Sequence, residues 1–239
     1  MYKPVFFIGW LRKSRQLTAA EFEQFGADAE VLEQDAHGIK VLRLADGDIL
    51  KLFRVKHLIS SARIYSHARS FCRNADRLKA IGIPTMAIKQ LFSFTNSSNT
   101  AVLYQPLEGR ILRQIAQSDG LNDVLLQHFG SFVAKLHSQG VYFRSLHLGN
   151  IVVTENGKFG LIDIADLSIR PWKLLFSERM RNFRHICRLE EDRNYIGLDG
   201  WNIFSAAYRD AAGLDMNSWQ KMASATNPWF SRSGMVRKS

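Results

Sequence analysis

The sequence predicts an α+β protein of two lobes, strand-rich first and helical afterwards. Between residues 38 and 103 the apolar residues come in short runs split by polar turn signals, and beyond 109 they recur at helical spacing. The two regimes meet at Gln105-Pro106-Leu107-Glu108-Gly109, a break by composition. With 46% hydrophobic and 23% charged residues in 239, the chain has the composition of an ordered globular protein with a core of its own.

The elements follow in order. Ile39, Val41, Leu42 and Leu44, then Ile49, Leu50, Leu52 and Phe53, flank Ala45-Asp46-Gly47-Asp48 and predict a hairpin over 38–53. Leu58 to Ile81 carries Ile64, Phe71, Ala75 and Leu78 at helical spacing and stops at Gly82, with Pro84 behind it. Met86 to Leu103 reads as two strands around Thr95-Asn96-Ser97-Ser98-Asn99. After the break, helices are expected over Arg110–Gln117 and Leu121–Gln139, the latter with Leu125, Phe129, Phe132, Val133 and Leu136 on one face. A second hairpin, 150–154 and 159–164, turns at Glu155-Asn156-Gly157. Residues 170–214 read as mixed helix and loop. The boundaries expected are an N-terminal extension over 1–27, a first lobe over 28–104, a second over 105–214 and a basic tail over 215–239.

Composition narrows the class of function. The net charge of +10 suits a nucleic acid, an anionic membrane surface or a small substrate rich in phosphate and carboxylate. No recognisable nucleic-acid-binding module appears, so nucleic acid is not the expected partner. Cys72 and Cys187 form no pattern with each other or with histidine, which argues against a disulfide framework or a zinc site and fits a reducing cytoplasm. The apolar run Pro4–Leu11 is too short to span a membrane and poor as a signal peptide.

Phosphoryl transfer needs a cation on the nucleotide phosphates, a magnesium ion held by oxygens, and a group that orients the accepting hydroxyl. Val141-Tyr142-Phe143-Arg144-Ser145-Leu146-His147-Leu148-Gly149-Asn150 follows the long helix, and Leu161-Ile162-Asp163 follows the second hairpin. Taken singly, an Asp ending an apolar run is a turn or cap residue and an Asn after Gly a loop residue. In register, the two stretches resemble the H-x-D-x-x-x-x-N and D-F-G loops of the protein-kinase-like superfamily, particularly its bacterial lipopolysaccharide-kinase branch acting on core heptose or Kdo.

The resemblance implies a kinase-like fold over about residues 28–214, with ATP and magnesium as cofactors. It gives Asp163 the magnesium, Asn150 a second metal oxygen, and Lys51, in Asp48-Ile49-Leu50-Lys51-Leu52-Phe53, the nucleotide phosphates. An edge lysine facing solvent is the plain alternative for Lys51, and Lys56 is the fallback if the register differs.

Three parts of the family pattern are absent. Ser145 stands five residues before Asn150, where the family has its catalytic aspartate, and Phe143 stands at the histidine position. A hydroxyl cannot accept a proton as a carboxylate does. The family also pairs its strand lysine with a helix glutamate. Between Arg54 and Leu107 the only carboxylate is Asp76, whereas the glutamate is expected near Phe71, about 140° around the helix. Lys51 is therefore expected to lack its ion pair. Gly38 and Gly47 do not make a glycine-rich phosphate loop.

Downstream, Arg181-Asn182-Phe183-Arg184 resembles the branch's R-N-L-x-R helix, and Arg181 and Arg184 are candidates for binding a phosphorylated or carboxylated sugar. A solvated face paired with Glu190, Glu191 and Asp192 explains them equally well. Trp172, Leu174, Leu175 and Phe176 beside them are core or a membrane-surface contact.

Two functions follow from the resemblance. One is ATP-dependent phosphorylation of a lipopolysaccharide core sugar at the cytoplasmic face of the inner membrane, with Ser145 or His147 near the acceptor hydroxyl. The other is a pseudokinase that regulates or scaffolds a core-assembly enzyme.

Overall fold

The computed structural model describes residues 12–54 and 67–231. Lys56, Leu58 to Ile64 and the Arg237-Lys238-Ser239 end lie outside the described residues. The chain divides into two compact units, Met1–Leu107 with Asp163–Asp166, and Glu108–Ile162 with Leu167–Ser239.

The first unit is a six-stranded sheet with two helices. In chain order come β1 (Arg15–Leu17), α1 (Ala19–Gly26), β2 (Glu30–Asp35), β3 (Gly38–Arg43), β4 (Ile49–Phe53), α2 (His67–Ala80), β5 (Ala87–Phe94) and β6 (Thr100–Gln105). The sheet order is β1-β5-β6-β4-β3-β2, with β1 parallel to β5 and the other neighbours antiparallel.

The expected first hairpin forms, with Val41 opposite Lys51 and Leu42 opposite Leu50. Its turn closes through Leu44 N–H to the Asp48 carbonyl at 2.8 Å, with Gly47 at a φ of 85° that disfavours other residues. Helix α2 buries Ala68, Phe71, Cys72, Ala75 and Leu78, the stripe a 3.6-residue period produces. It ends in a Schellman cap, where Ile83 N–H reaches the Leu78 carbonyl at 2.9 Å and Gly82 takes a φ of 70°.

Residues expected to form an N-terminal extension belong to this unit. Leu17 on β1 is fully buried, and Phe22 and Phe25 of α1 pack beside the cluster of Leu42, Leu50, Leu52 and Phe92. Three edge-strand residues show no periodicity in sequence, but pairing with β5 buries Leu17 and satisfies its backbone.

The second unit is mostly helical. It contains β7 (Arg110–Ile111), α3 (Leu112–Ser118), α4 (Asp123–Ser138), β8 (Val141–Phe143), β9 (Ile151–Val153), β10 (Phe159–Leu161), β11 (Leu167–Ile169), α5 (Phe176–Ile186), α6 (Glu190–Ala212), α7 (Met216–Thr226) and α8 (Pro228–Ser231). The segment expected as helix from Arg110 opens with β7, which extends the β9–β10 hairpin. The strand expected over 159–164 ends at Leu161, and a 3-10 turn follows at Ile164–Asp166.

Helix α4 starts at Asn122, whose side chain accepts from Leu125 N–H at 2.9 Å. It packs on α6 so closely that a Cβ on Gly130 would stand 2.2 Å from the Phe204 carbonyl oxygen. Around that contact Phe129, Phe183, Trp201, Phe204 and Tyr208 are buried, each contributing roughly 1.5–3 kcal/mol of apolar burial. Part of the expected basic tail joins this core: α7 and α8 are helices, and Phe230 stacks on Trp201 at 4.9 Å between ring centroids.

An antiparallel-rich sheet with a helix between its fourth and fifth strands is thus followed by a helical unit with a loop-bearing hairpin, the α+β order that the sequence predicts. Among the described residues no helix is long and apolar enough to cross a membrane.

Candidate functional site

Within the first unit, Lys51 and Asp163 are brought together. Strand β4 is buried on both faces, and the Lys51 side chain retains only 12% exposure. Its Nζ donates to Asp163 Oδ1 at 2.6 Å and lies 5.8 Å from the ring centroids of Phe53 and Phe71. An ammonium so far removed from water needs an anion, and the aromatic faces add cation–π attraction without supplying one. The helix glutamate that the family pairs with this lysine is absent here, and Asp163, 112 residues away, is the counter-ion of Lys51 instead.

Phe71, at the place where a glutamate was expected, is fully buried against Phe53 at 5.6 Å and Tyr104 at 5.4 Å. Burial, with the Asp163 charge adding to it, pushes the Tyr104 phenol up. Asp76 faces elsewhere, as the helical angle required, and takes a bidentate pair of bonds from Arg12 at 2.8 and 3.0 Å.

Asp163 is the only described residue other than glycine with positive φ, 50°. The left-handed region costs an ordinary residue about 1 kcal/mol or more, and Asp tolerates it better than most. Its carboxylate remains 52% exposed, and the lysine bond uses Oδ1 alone. An exposed carboxylate oxygen beside an ammonium fits the magnesium and phosphate of a nucleotide. Among the described residues no group of three or more His, Cys, Asp or Glu could hold a metal.

Within the second unit, Ser145, His147 and Asn150 lie on one loop between β8 and β9. Alternation builds it: Leu146 and Leu148 are fully buried, and Ser145 and His147 beside them are half-buried. Asn182 Nδ2 donates to the Phe143 carbonyl at 2.5 Å, holding the entry of the loop to α5. The Ser145 carbonyl accepts from His147 N–H at 3.0 Å and from Asn150 Nδ2 at 2.9 Å. Both recorded Asn150 side-chain contacts use Nδ2, so neither engages Oδ1, the atom a cation would take.

His147 caps the 3-10 turn Leu148–Asn150, with Nδ1 accepting from Gly149 N–H at 3.2 Å. Arg113 Nη2 lies 3.4 Å from the same nitrogen, and Asn150 Nδ2 lies 3.2 Å from Nε2. A neutral imidazole has one in-plane lone pair, and donors stand at both of its nitrogens.

Beneath this loop sits a group that sequence reasoning missed. Asp192 of α6 has no exposed surface, yet accepts from Arg113 Nε at 2.7 Å, Arg113 Nη2 at 3.0 Å and Leu148 N–H at 3.1 Å. The carboxylate thereby raises the Arg113 guanidinium still further above its ordinary value. Asp192 is thus no solvated partner for the downstream arginines. The signal available in sequence was its spacing of four from Ile196, which is buried on the same turn-to-turn line before the kink at Gly197.

Arg181 and Arg184 are exposed on α5. Of the carboxylates nearby in sequence, Glu178 is bonded to Arg170, and Glu191 and Asp192 lie against Arg113.

No protein-family model matches this chain. No curated protein matches its sequence. Among solved structures it is similar to a divergent kinase lacking the glycine-rich loop, which regulates membrane ultrastructure of the Toxoplasma parasitophorous vacuole. The two are 13% identical, with a TM-score of 0.42, over 77% of this chain and 69% of that one.

Proposed function

We propose that this protein binds ATP and magnesium through Lys51 and Asp163 and serves as a phosphotransferase of lipopolysaccharide core biosynthesis, acting on a core sugar. The observation that supports the nucleotide half is the Lys51–Asp163 pair: a nearly buried ammonium with one exposed carboxylate at 2.6 Å. Asp163 would hold magnesium, which would neutralise charge on the nucleotide phosphates, and Lys51 would then pair with phosphate in place of Asp163. The substrate half rests on the motif resemblance, as does the role of Asn150 as a second metal oxygen.

A second reading is a nucleotide-binding pseudokinase that regulates a core-assembly enzyme. The observation favouring it is the catalytic loop: Ser145 supplies no carboxylate, and donors already surround the His147 ring. Phosphoryl transfer depends mainly on positioning and electrostatics, so a serine-oriented acceptor keeps the first reading open to assay.

Thermal-shift titration of the full chain with ATP, with and without magnesium, tests the nucleotide site. Ligand at about a hundred times its dissociation constant stabilises the native state by about 2.7 kcal/mol. The expected result is a rise in midpoint that requires magnesium and is lost in Lys51→Met and Asp163→Ala. No rise at millimolar ATP in the wild type sinks the assignment. Given binding, transfer of labelled phosphate to core oligosaccharide separates the readings: transfer abolished by Asp163→Ala identifies the enzyme, and binding without transfer the pseudokinase.

A further inference from the structure

We infer that the segment Trp172–Phe176 and the outer face of α5 form a docking surface for an anionic lipid bilayer. Trp172, Leu175 and Phe176 are 58%, 62% and 39% exposed, three large apolar side chains within five residues. Isolated exposed apolar residues are ordinary on a protein surface, but a contiguous group marks a contact.

The display is rigid. Arg170 N–H donates to the Gly140 carbonyl at 3.0 Å, and Leu174 N–H to the His137 carbonyl at 2.9 Å, with the Leu174 side chain buried between the exposed ones. Leu175 N–H donates to Glu178 Oε2 at 3.0 Å, and Arg179 Nε to the Leu174 carbonyl at 3.0 Å. A Cβ on Gly140 would stand 2.4 Å from the Trp172 carbonyl oxygen, so glycine alone permits this approach. The apolar side chains thus project from a backbone tied to the body at Arg170, Leu174 and Leu175.

The charge around them identifies the partner. Phe176, Met180 and Arg184 follow at intervals of four along one line of α5, with Glu178, Asn182 and Ile186 buried on the far side. Arg184 is exposed on this line, Lys173 just before the helix and Arg181 about 140° around it from Phe176, and no ion pair among the described residues includes the three. Glu178, the acid of this helix, is buried and bonded to Arg170. Amphipathic aromatic and aliphatic residues ringed by unneutralised cations match the headgroup layer of an anionic membrane, where Trp favours the interface and each cation adds attraction. On this assignment Arg181 and Arg184 meet lipid phosphates rather than an acceptor sugar. The inference is independent of nucleotide binding.

Co-sedimentation of the full chain with vesicles of pure phosphatidylcholine, and of phosphatidylcholine mixed with phosphatidylglycerol, tests it. The expected result is partition onto the mixed vesicles only, weakened by salt. Charge reversal in Arg181→Glu/Arg184→Glu is expected to lower that partition at least about tenfold. The variant Trp172→Ser/Leu175→Ser/Phe176→Ser is expected to lower it similarly, and the two variants report on charge and apolar contact separately. Equal partition onto both vesicles, or variants that bind like wild type at an unchanged unfolding midpoint, overturns the inference. So does an oligomer, seen by light scattering, that the apolar variant dissolves while vesicle binding is absent. Inorganic phosphate that competes as effectively as vesicles do overturns it in favour of a small-anion site.

Discussion

Replacing Asp192 by alanine removes three bonds at once from a carboxylate with no exposed surface: two from Arg113, at 2.7 and 3.0 Å, and one from Leu148 N–H at 3.1 Å. The substitution leaves a guanidinium at 23% exposure and a backbone N–H beside a fully buried leucine with no acceptor. Breaking one side of a buried ion pair costs about 3–5 kcal/mol, and a stranded buried donor alone about 1–3 kcal/mol. Arg113 keeps some access to water and has Glu191 within 3.8 Å, so the low end, about 3 kcal/mol, is expected. For a chain of this size that loss lowers the midpoint by roughly 6–12 °C, read by circular dichroism. Asp192→Asn, which keeps an acceptor but loses the charge, should fall between. The double variant Arg113→Met/Asp192→Leu should recover much of the loss, because it removes both charges together. A loss below about 1 kcal/mol in Asp192→Ala refutes the reasoning, since it means the carboxylate is not the brace of the loop.

Acid stability should report His137. Burial is the main cause holding its imidazole down to about 3, so the folded state binds fewer protons than the unfolded one between that value and about 6.5. Its stabilisation is complete above pH 6.5 and is lost as pH falls toward 3, at about 1.4 kcal/mol per unit. His137→Phe should flatten the dependence measured by urea unfolding, and an unchanged slope counts against it. Gly130→Ala forces a Cβ to 2.2 Å from the Phe204 carbonyl oxygen and should cost at least about 2 kcal/mol, checked by the same unfolding curve. Burial pushes the Cys72 thiol up to about 12 and the Cys187 thiol up as well, so neither should react with a thiol reagent until denaturant is added. Labelling of either in the native protein would contradict that burial.

Local features of this protein are legible along the chain. The hairpin around Gly47 and the cap at Gly82 depend on contacts within a few residues and on backbone angles few side chains tolerate. The loop from Ser145 to Asn150 is recognisable by its residues, because its hydrogen bonds to its own backbone span five positions or fewer. Strand β1 is different. Three residues, Arg15 to Leu17, carry no readable period, and only the neighbouring β5 makes them a strand.

The sequence alone determined the α+β order, the lysine strand and the absence of a carboxylate at 145. These depend on residue identity and near-neighbour spacing. Tertiary structure decided the charge partners. Lys51 finds Asp163 across 112 positions, and Arg113 finds Asp192 across 79. An ionised group removed from water takes whichever opposite charge the packed chain brings within bonding distance. No spacing rule along the chain specifies that choice, because it depends on which elements pack together.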